Sequence, residues 1–311
     1  MKKDNNNQRV DPVIANVAAY ANSSKTMDLC MQSTGFRTNS LRFAALDHSN
    51  NPRIAEDFLI NTRLRRNDRE NEESITSYFS DPSVFMLSML GQETKAGFRE
   101  VSLPSGVKLR MELGEAIVQR RSSRSYTGDR MKLNYLATIL RSAAGITFHQ
   151  EVNLMEGEKT SLKFRTTPSG GGLFPIDLYL AALNVGGLEC GLYQYDPVKD
   201  ILWQTGKQLD VDNLLQCFSV PDEAISISRA NVIFLLVGQP WRTMRKYGNR
   251  GMRFLFLEAG YIAQNIHLAS VALGFGSVDC ASIYDDEAHE AMNLDGLYRT
   301  LIHISVVGCS G

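Results

Sequence analysis

Three short, strongly apolar segments separated by longer helical patterns constrain the fold of this chain most. LYLAAL (178–183), NVIFLLV (231–237) and LIHISVV (301–307) predict buried strands. Between the last two lies EAGYIAQNIHLASVALG (258–274), whose apolar residues recur at helical spacing and predict the longest helix. Strands that alternate with long helices indicate an α/β or α+β domain. At 311 residues, 43% of them hydrophobic, the chain is long enough to bury a large core.

The segments before the first of these strands predict two helices and a loop. A helix is predicted over 109–121, and its apolar residues at helical spacing are Leu109, Leu113, Ile117 and Val118. A second helix is predicted over 133–145, followed by a polar, glycine-punctuated loop through Lys163. Near Leu103 a Pro-Ser-Gly turn (104–106) is followed by apolar residues at helical spacing. We therefore predict an N-terminal extension over 1–102 and a main domain over 103–311.

Charge and cysteine usage exclude several classes of protein. The formal net charge of -1 gives no electrostatic reason to bind nucleic acid or an anionic membrane, and no run approaches the roughly 20 apolar residues of a membrane span. The N-terminus lacks the apolar segment of a secretory signal. The five cysteines are far apart with no CxxC pair, and no histidine has partners at metal-ligand spacing, so neither disulfides nor a metal site is expected. We therefore expect a cytoplasmic protein.

A cluster of arginines and serines follows the first predicted helix. Its members are Arg120, Arg121, Ser122, Ser123 and Arg124. Three guanidiniums and two hydroxyls supply permanently charged, forked donors that suit a phosphate group. Taken alone, the pattern is equally typical of cations that complement the dipole at a helix C-terminus.

Two further segments carry chemically useful groups. TPSGGGLFP (167–175) places three consecutive glycines directly before a predicted strand, so that backbone N–H groups can approach a planar ligand closely. RKYGNRGMR (245–253) supplies an amine, a phenol and several guanidiniums between a predicted strand and the longest helix. In isolation, a flexible loop and a basic solvated loop remain open as alternatives for these segments.

These segments, in this order, resemble the SagB-type dehydrogenases of thiazole/oxazole-modified microcins, a branch of the nitroreductase superfamily. The matching motifs are RRSSRSY (120–126), TPSGGGLFPIDLY (167–179), GLYQYDP (191–197) and KYGNRGMRFLFLEAGYIAQN (246–265). The segment GFGSVDCASIYDD (274–286) departs from the GLGSxPIG-like pattern of many nitroreductases. The resemblance covers residues 103–309.

The resemblance implies an α+β, nitroreductase-like FMN-binding fold, with a central mixed sheet flanked by helices, in an intertwined homodimer that binds FMN between its subunits. The implied FMN contacts are Arg120, Arg121, Ser122, Arg124, Pro168, Ser169, Gly170, Gly172, Ala281 and Ser282. The contacts in 168–172 would come from the partner chain. The implied catalytic pair for proton transfer is Lys246 and Tyr247. Many nitroreductases add a basic C-terminal extension that reaches the phosphate. This sequence stops at Gly311, just after the last predicted strand, so its phosphate site is expected to depend on Arg120 and Arg124.

The implied function is oxidation of thiazoline or oxazoline rings to thiazole or oxazole on a ribosomally synthesised peptide, with oxygen reoxidising the flavin. The implied partners are the cyclodehydratase subunits that form the rings and the precursor peptide. Two alternatives stay open. One is an NAD(P)H-dependent nitro- or quinone-reductase of the same fold, and the other is a flavin-bearing scaffold subunit of a peptide-modifying complex.

Overall fold

A computed structural model describes residues 54–64, Ile75, 97–153 and 159–310. The chain divides into two compact units between Arg63 and Leu64. In the first unit, the described element is helix α1 (Ile54–Asn61). Most of the predicted N-terminal extension lies outside the described residues, and its boundary and role stay predictions.

The second unit contains the other elements. In chain order they are β1 (Arg99–Ser102), α2 (Leu113–Gln119), β2 (Met131–Lys132), α3 (Leu133–Ala144), β3 (Ile146–Asn153), β4 (Lys159–Arg165), β5 (Ile176–Ala182), β6 (Val185–Gly186), β7 (Gly191–Asp196), β8 (Ile201–Gly206), α4 (Gln208–Gln216), β9 (Val232–Gly238), α5 (Pro240–Tyr247), α6 (Gly251–Ala272), β10 (Phe275–Asp279), α7 (Asp285–Ala291) and β11 (Thr300–Cys309). Short 3₁₀ turns lie at 170–172, 227–229 and 248–250.

Seven strands form the central sheet in the order β1-β8-β7-β5-β9-β11-β10. Every neighbouring pair in it is antiparallel, whereas a mixed sheet was expected. The long helix does return the chain to a strand, β10, that runs parallel to β9, but β11 lies between them and pairs antiparallel with both. The described parallel ladder is the two-residue pair β2–β6. The predicted α+β class is confirmed.

Helices cover both faces of this sheet. Alternate strand residues point to opposite faces, so that Leu178 and Phe234 pack with α3 and α6, while Ile233 and Leu235 pack with α4 and α7. All four of these side chains are fully or almost fully buried. Burial on both faces explains why β5 and β9 appear in the sequence as continuous apolar runs.

Most predicted elements are confirmed, with one clear exception. The predicted strands correspond to β5, β9 and β11, and the longest helix begins earlier than expected, at Gly251. The polar loop predicted through Lys163 is wrong, because β3 and β4 form an antiparallel hairpin there. The apolar alternation in these strands is short, at Ile146 and Phe148 and at Leu162 and Phe164, and it is surrounded by polar residues that indicated a loop.

The apolar residues of α2 lie on the surface instead of in the core. Ile117 and Val118 are 54% and 69% exposed, and α2 packs against α6. Helix α6 also has exposed apolar residues in its first half, which are Phe256, Leu257 and Tyr261. Two adjacent helices thus present apolar side chains outward. Among the described residues, no helix is both long and apolar enough to cross a bilayer.

Candidate functional site

The arginine segment (120–124) lies along the edge strand β10. Ser122 forms an isolated β-bridge with Ser277, and the Ser123 backbone N–H donates to the Ser277 carbonyl at 3.0 Å. The Tyr126 hydroxyl donates to the Ser123 carbonyl at 2.9 Å. The backbone of the segment is therefore held against the sheet, which leaves its side chains to extend away from it.

The three arginines of this segment differ in what they contact. The Arg121 guanidinium turns back and donates to the carbonyls of Val118 and Arg120 at 2.7 and 2.8 Å, as expected for a cation at a helix C-terminus. In the part of the chain that the structure describes, the side chains of Arg120 and Arg124 have neither a salt bridge nor a hydrogen bond. Arg124 is exposed. These two guanidiniums are thus available to an external anion.

Ala281 and Ser282 follow the same edge strand and are both exposed. The Cys280 backbone N–H donates to the Ile304 carbonyl, and the Ser282 carbonyl accepts a hydrogen bond from the Ser219 N–H, both at 3.0 Å. The structure therefore places this predicted FMN contact on the same edge of the sheet as Ser122. The Cys280 side chain is buried among core residues, as expected for a small apolar filler.

A polar network fixes β10 to its neighbours. The Asp279 carboxylate accepts a hydrogen bond from the Ser305 hydroxyl at 2.7 Å and lies 2.8 Å from His267 on α6 and 2.9 Å from His303 on β11. The other ring nitrogen of His267 lies 2.8 Å from the Ser277 hydroxyl. Burial opposes the charged form, but these hydrogen bonds outweigh it and hold the pKa of Asp279 well below its usual range. The strand that carries the arginine segment is thus rigidly seated.

The glycine loop (169–172) lies at the start of β5. Gly171 and Gly172 have φ angles of 68° and 69°, in the left-handed region that favours glycine. The Ser169 hydroxyl accepts a hydrogen bond from the Phe174 N–H at 2.8 Å. A Cβ atom on Gly171 would lie 2.5 Å from the Tyr247 hydroxyl and 2.9 Å from the Lys246 amine. The loop thus contacts the predicted catalytic pair of its own chain, which only glycine allows.

Lys246 and Tyr247 occupy the last turn of α5, where Gly248 ends the helix with a φ of 53°. The Lys246 amine lies 5.3 Å from the centre of the Tyr247 ring, and that ring meets Phe254 edge-on at 4.8 Å between centres. Lys246 is only 5% exposed, and this burial lowers its pKa. Burial also raises the pKa of Tyr247. Desolvation is thus the cause of the lowered pKa of Lys246.

Beneath the glycine loop lies a buried acid that the sequence interpretation missed. Glu258 on α6 is 1% exposed, and burial raises its pKa to about 7, against the opposing effects of the Ser169 hydroxyl and Arg165. The Arg165 guanidinium donates to the Ile176 carbonyl at 3.1 Å. The sequence could have revealed this buried acid. Glu258 lies four residues before Ile262 and so falls on the apolar face of the predicted helix.

An ion pair anchors α5 at this end of the sheet. The Arg242 guanidinium lies 3.2 Å from the Asp177 carboxylate at the start of β5 and donates to the Phe174 carbonyl at 3.0 Å. Asp177 is buried and also accepts a hydrogen bond from the Gln239 amide. The helix that carries Lys246 is therefore tied to the strand that follows the glycine loop.

The arginine segment and the glycine loop lie at opposite ends of β11. Ser122 pairs with Ser277, which lies opposite Val307 near the end of β11. The strand that follows the glycine loop begins opposite Gly238, which also lies opposite Thr300 at the start of β11. At about 3.3 Å per residue, these two levels are roughly 20 Å apart along the strand. One chain alone therefore keeps the two motifs apart.

Comparison with known proteins finds similarity to nitroreductases and to a microcin-processing protein. The Nitroreductase family profile matches residues 117–308, more than half of the chain. A Methanocaldococcus jannaschii protein, MJ1384, whose name describes it as a nitroreductase, is 30% identical over 200 residues, which are 63% of this chain and 90% of that protein. The microcin B17-processing protein McbC of Escherichia coli is 27% identical over 136 residues, which are 42% of this chain and 49% of that protein.

A solved structure supports the fold over a longer span. It is the Escherichia coli microcin synthetase McbBCD complex with truncated pro-MccB17 bound. One of its chains superimposes with a TM-score of 0.50 at 18% identity and covers 86% of this chain and 97% of its own length. At that identity, the superposition speaks for the fold.

Proposed function

Because this chain belongs to the nitroreductase family, we propose that it is an FMN-dependent dehydrogenase that oxidises thiazoline or oxazoline rings to thiazole or oxazole on a ribosomally synthesised peptide. Family membership makes it an oxidoreductase. The finer reaction is supported most by one observation, the buried Lys246 amine held with Tyr247 against a loop without side chains. The sequence similarity to a microcin B17-processing protein points the same way.

The donor groups of the arginine segment fit the phosphate of FMN. Arg120 and Arg124 have no ionic partner among the described residues, and Ser122 is exposed beside them. Two guanidiniums and a hydroxyl match the charge and acceptor oxygens of one phosphate group. Ala281 and Ser282 would offer backbone groups near the flavin ring, and 168–172 would lie along it. We expect the purified protein to release FMN, not FAD, on denaturation, which chromatography of the released cofactor decides.

In the proposed reaction, the residues of this chain handle a proton. Bound FMN would supply the acceptor for the hydride that leaves the azoline ring. The Lys246 amine would accept the proton that leaves a neighbouring ring atom, and the loss of both hydrogens makes the ring aromatic. Burial favours the neutral amine that a base requires. The Tyr247 hydroxyl, which lies against Gly171 beside the Lys246 amine, would hold the ring next to that amine.

A homodimer would bring the two ends of the site together. The separation of roughly 20 Å along β11 keeps one chain's glycine loop from its own arginine segment. The exposed apolar residues of α2 and α6 supply a surface of the kind that subunit interfaces bury. We expect light scattering on the FMN-loaded protein to give a dimer. A flavin-loaded monomer of 34.7 kDa would contradict this arrangement.

The proposed partners are cyclodehydratase subunits and a precursor peptide. The fold match to a chain of a microcin synthetase complex covers 86% of this chain, which supports this assignment. The test is to supply the FMN-loaded protein with a peptide that carries azoline rings and to follow the loss of two hydrogens per ring by mass spectrometry. A peptide that keeps its azolines under air would contradict the proposal.

A second candidate is an NAD(P)H-dependent nitro- or quinone-reductase. It is favoured by the Methanocaldococcus jannaschii relative, of which the chain covers 90%. Steady NADPH consumption with a nitroaromatic or quinone, together with no oxidation of an azoline peptide, would select this function. The two assays therefore separate the candidates on one protein preparation.

A further inference from the structure

Glu258 is a buried acid that the proposed proton transfer does not use. Neither of its carboxyl oxygens has a well-aligned hydrogen bond within the described residues. The groups that face it are the Ser169 hydroxyl, the Ile176 backbone and, at longer range, the charges of Arg165 and Arg242. Its buried carboxyl group therefore lies at the start of the glycine loop, near the Ser169 hydroxyl.

The Ser169 hydroxyl has one proton and two directions in which to donate it. Its oxygen already accepts the Phe174 N–H at 2.8 Å, which uses one lone pair and fixes the oxygen. The proton can point toward Glu258, the direction we call inward, or away from it, the direction we call outward. A carboxylate can only accept a hydrogen bond, whereas a protonated carboxyl group can donate one. The ionisation of Glu258 therefore decides which direction is favoured.

We propose that Glu258 is a positioning residue that sets the direction of the Ser169 hydroxyl. Ionised Glu258 accepts the hydroxyl proton and holds it inward. Protonated Glu258 instead donates to the Ser169 oxygen, and the hydroxyl proton then turns outward to donate to the FMN that the loop would contact. This inference rests on the proposed function, since FMN at the loop is part of it.

The surrounding charges allow both forms of Glu258 near neutral pH. Arg165 and Arg242 favour the carboxylate, but the Asp177 carboxylate lies 3.2 Å from Arg242 and its charge also acts on Arg165. Burial opposes the carboxylate more strongly and raises the pKa of Glu258 to about 7. A change of pH across neutrality therefore switches a large share of the molecules from one hydroxyl direction to the other.

The test measures the dissociation constant of FMN from the apo-protein between pH 6 and pH 8.5, by quenching of flavin fluorescence. One outward hydrogen bond predicts that the wild-type protein binds FMN about fivefold more weakly at the higher pH. Glu258→Gln, whose amide donates to Ser169 at every pH, should keep the tighter affinity throughout. Ser169→Ala should bind at the weaker level throughout. The FMN phosphate itself titrates at pH ~6 in all three proteins. The test therefore compares the pH dependence of the dissociation constant between the proteins.

A carboxylate far from the loop provides the matched control. Glu100→Gln, on the opposite edge strand β1, should keep the wild-type dependence on pH. The proposal is overturned if Glu258→Gln or Ser169→Ala also keeps that dependence. Wild-type protein that binds no FMN at any pH overturns the proposed function itself, and with it this inference, so the two failures are distinguishable.

Discussion

The two ends of the central sheet differ in how far their charged side chains are paired or buried within one chain. At the arginine end, Arg120 and Arg124 have no internal partner among the described residues, although the backbone beneath them is firmly paired to β10. At the glycine end, Lys246 and Glu258 are buried and Gly171 is packed against Tyr247. The first end is a surface whose two guanidiniums are open to an external anion. The second is a cluster of buried ionisable groups that packing within one chain has already assembled.

The largest expected effect comes from the glycine end. Replacing Lys246 by Ala together with Tyr247 by Phe should lower azole formation at least about a hundredfold, since a general base contributes roughly 10²–10⁴-fold. FMN content and dimerisation should stay nearly intact, because FMN is expected to be held mainly at the other end. Mass spectrometry of the peptide and absorbance of the bound flavin measure both. A double variant with near-native rates would show that the proposed base is wrong.

The reverse pattern is expected at the arginine end. Arg120→Ala combined with Arg124→Ala should weaken FMN binding at least about tenfold, because each charged hydrogen bond contributes roughly 1.5–3 kcal/mol. The melting temperature of the apo-protein should not change, since neither side chain has an ion pair among the described residues. Arg110→Ala, exposed and outside the segment, is the control. Loss of apo-protein stability in the double variant would show that this end has a structural role.

A single methyl group tests the packing of the glycine end. In Gly171→Ala, the added Cβ would lie 2.5 Å from the Tyr247 hydroxyl, at a φ of 68°. We expect azole formation to fall about tenfold and the free energy of unfolding to fall by about 1–2 kcal/mol. Gly114→Ala is the matched control, because no atom lies within 4 Å of its Cβ position and it lies within α2. Equal behaviour of the two variants would argue against close packing at the loop.

The smallest effect concerns pH and stability. The pKa of Glu258 is raised from 4.5 to about 7 on folding, so the folded chain binds its proton more tightly than the unfolded chain. Its contribution to stability is therefore present at low pH and is lost as pH rises from 4.5 to 7. We expect the melting temperature to fall by a few degrees over that window, and less so in Glu258→Gln. Asp279, whose pKa is lowered, stays ionised throughout the window and does not contribute to the trend.

Local patterns predicted the elements, but contacts between distant segments could not be predicted. The spacing of the apolar residues and the length of each apolar segment were enough to predict β5, β9 and α6, because each element buries its apolar residues in a regular way. The insertion of β11 between β9 and β10 depends on pairing across the whole domain, and no local signal carries it. The hairpin β3–β4 has only short runs of alternating apolar residues among many polar ones, and so its pattern was too brief to indicate two strands.

The candidate site shows the same division. Residue types, together with the order of the motifs, predicted an anion site at 120–124 and a close backbone approach at 169–172, since guanidiniums suit a phosphate and glycines expose backbone N–H groups. They did not predict that Gly171 touches Lys246 and Tyr247, which follow much later in the chain. Nor did they predict that Arg121 would cap its own helix while Arg120 and Arg124 stay available. Those facts depend on how β5, α5 and α6 pack.

The length of β11 between its two ends has a genetic consequence. In the proposed homodimer, each flavin site takes its arginine segment from one subunit and its glycine loop, with Lys246, from the other. A subunit altered at Arg120 and Arg124, paired with a subunit altered at Lys246 and Tyr247, would then collect all the lesions in one site and leave the other site intact. Two inactive alleles of this single gene would thus complement each other when expressed together. In a protein whose site lies within one chain, the same two alleles would not restore activity.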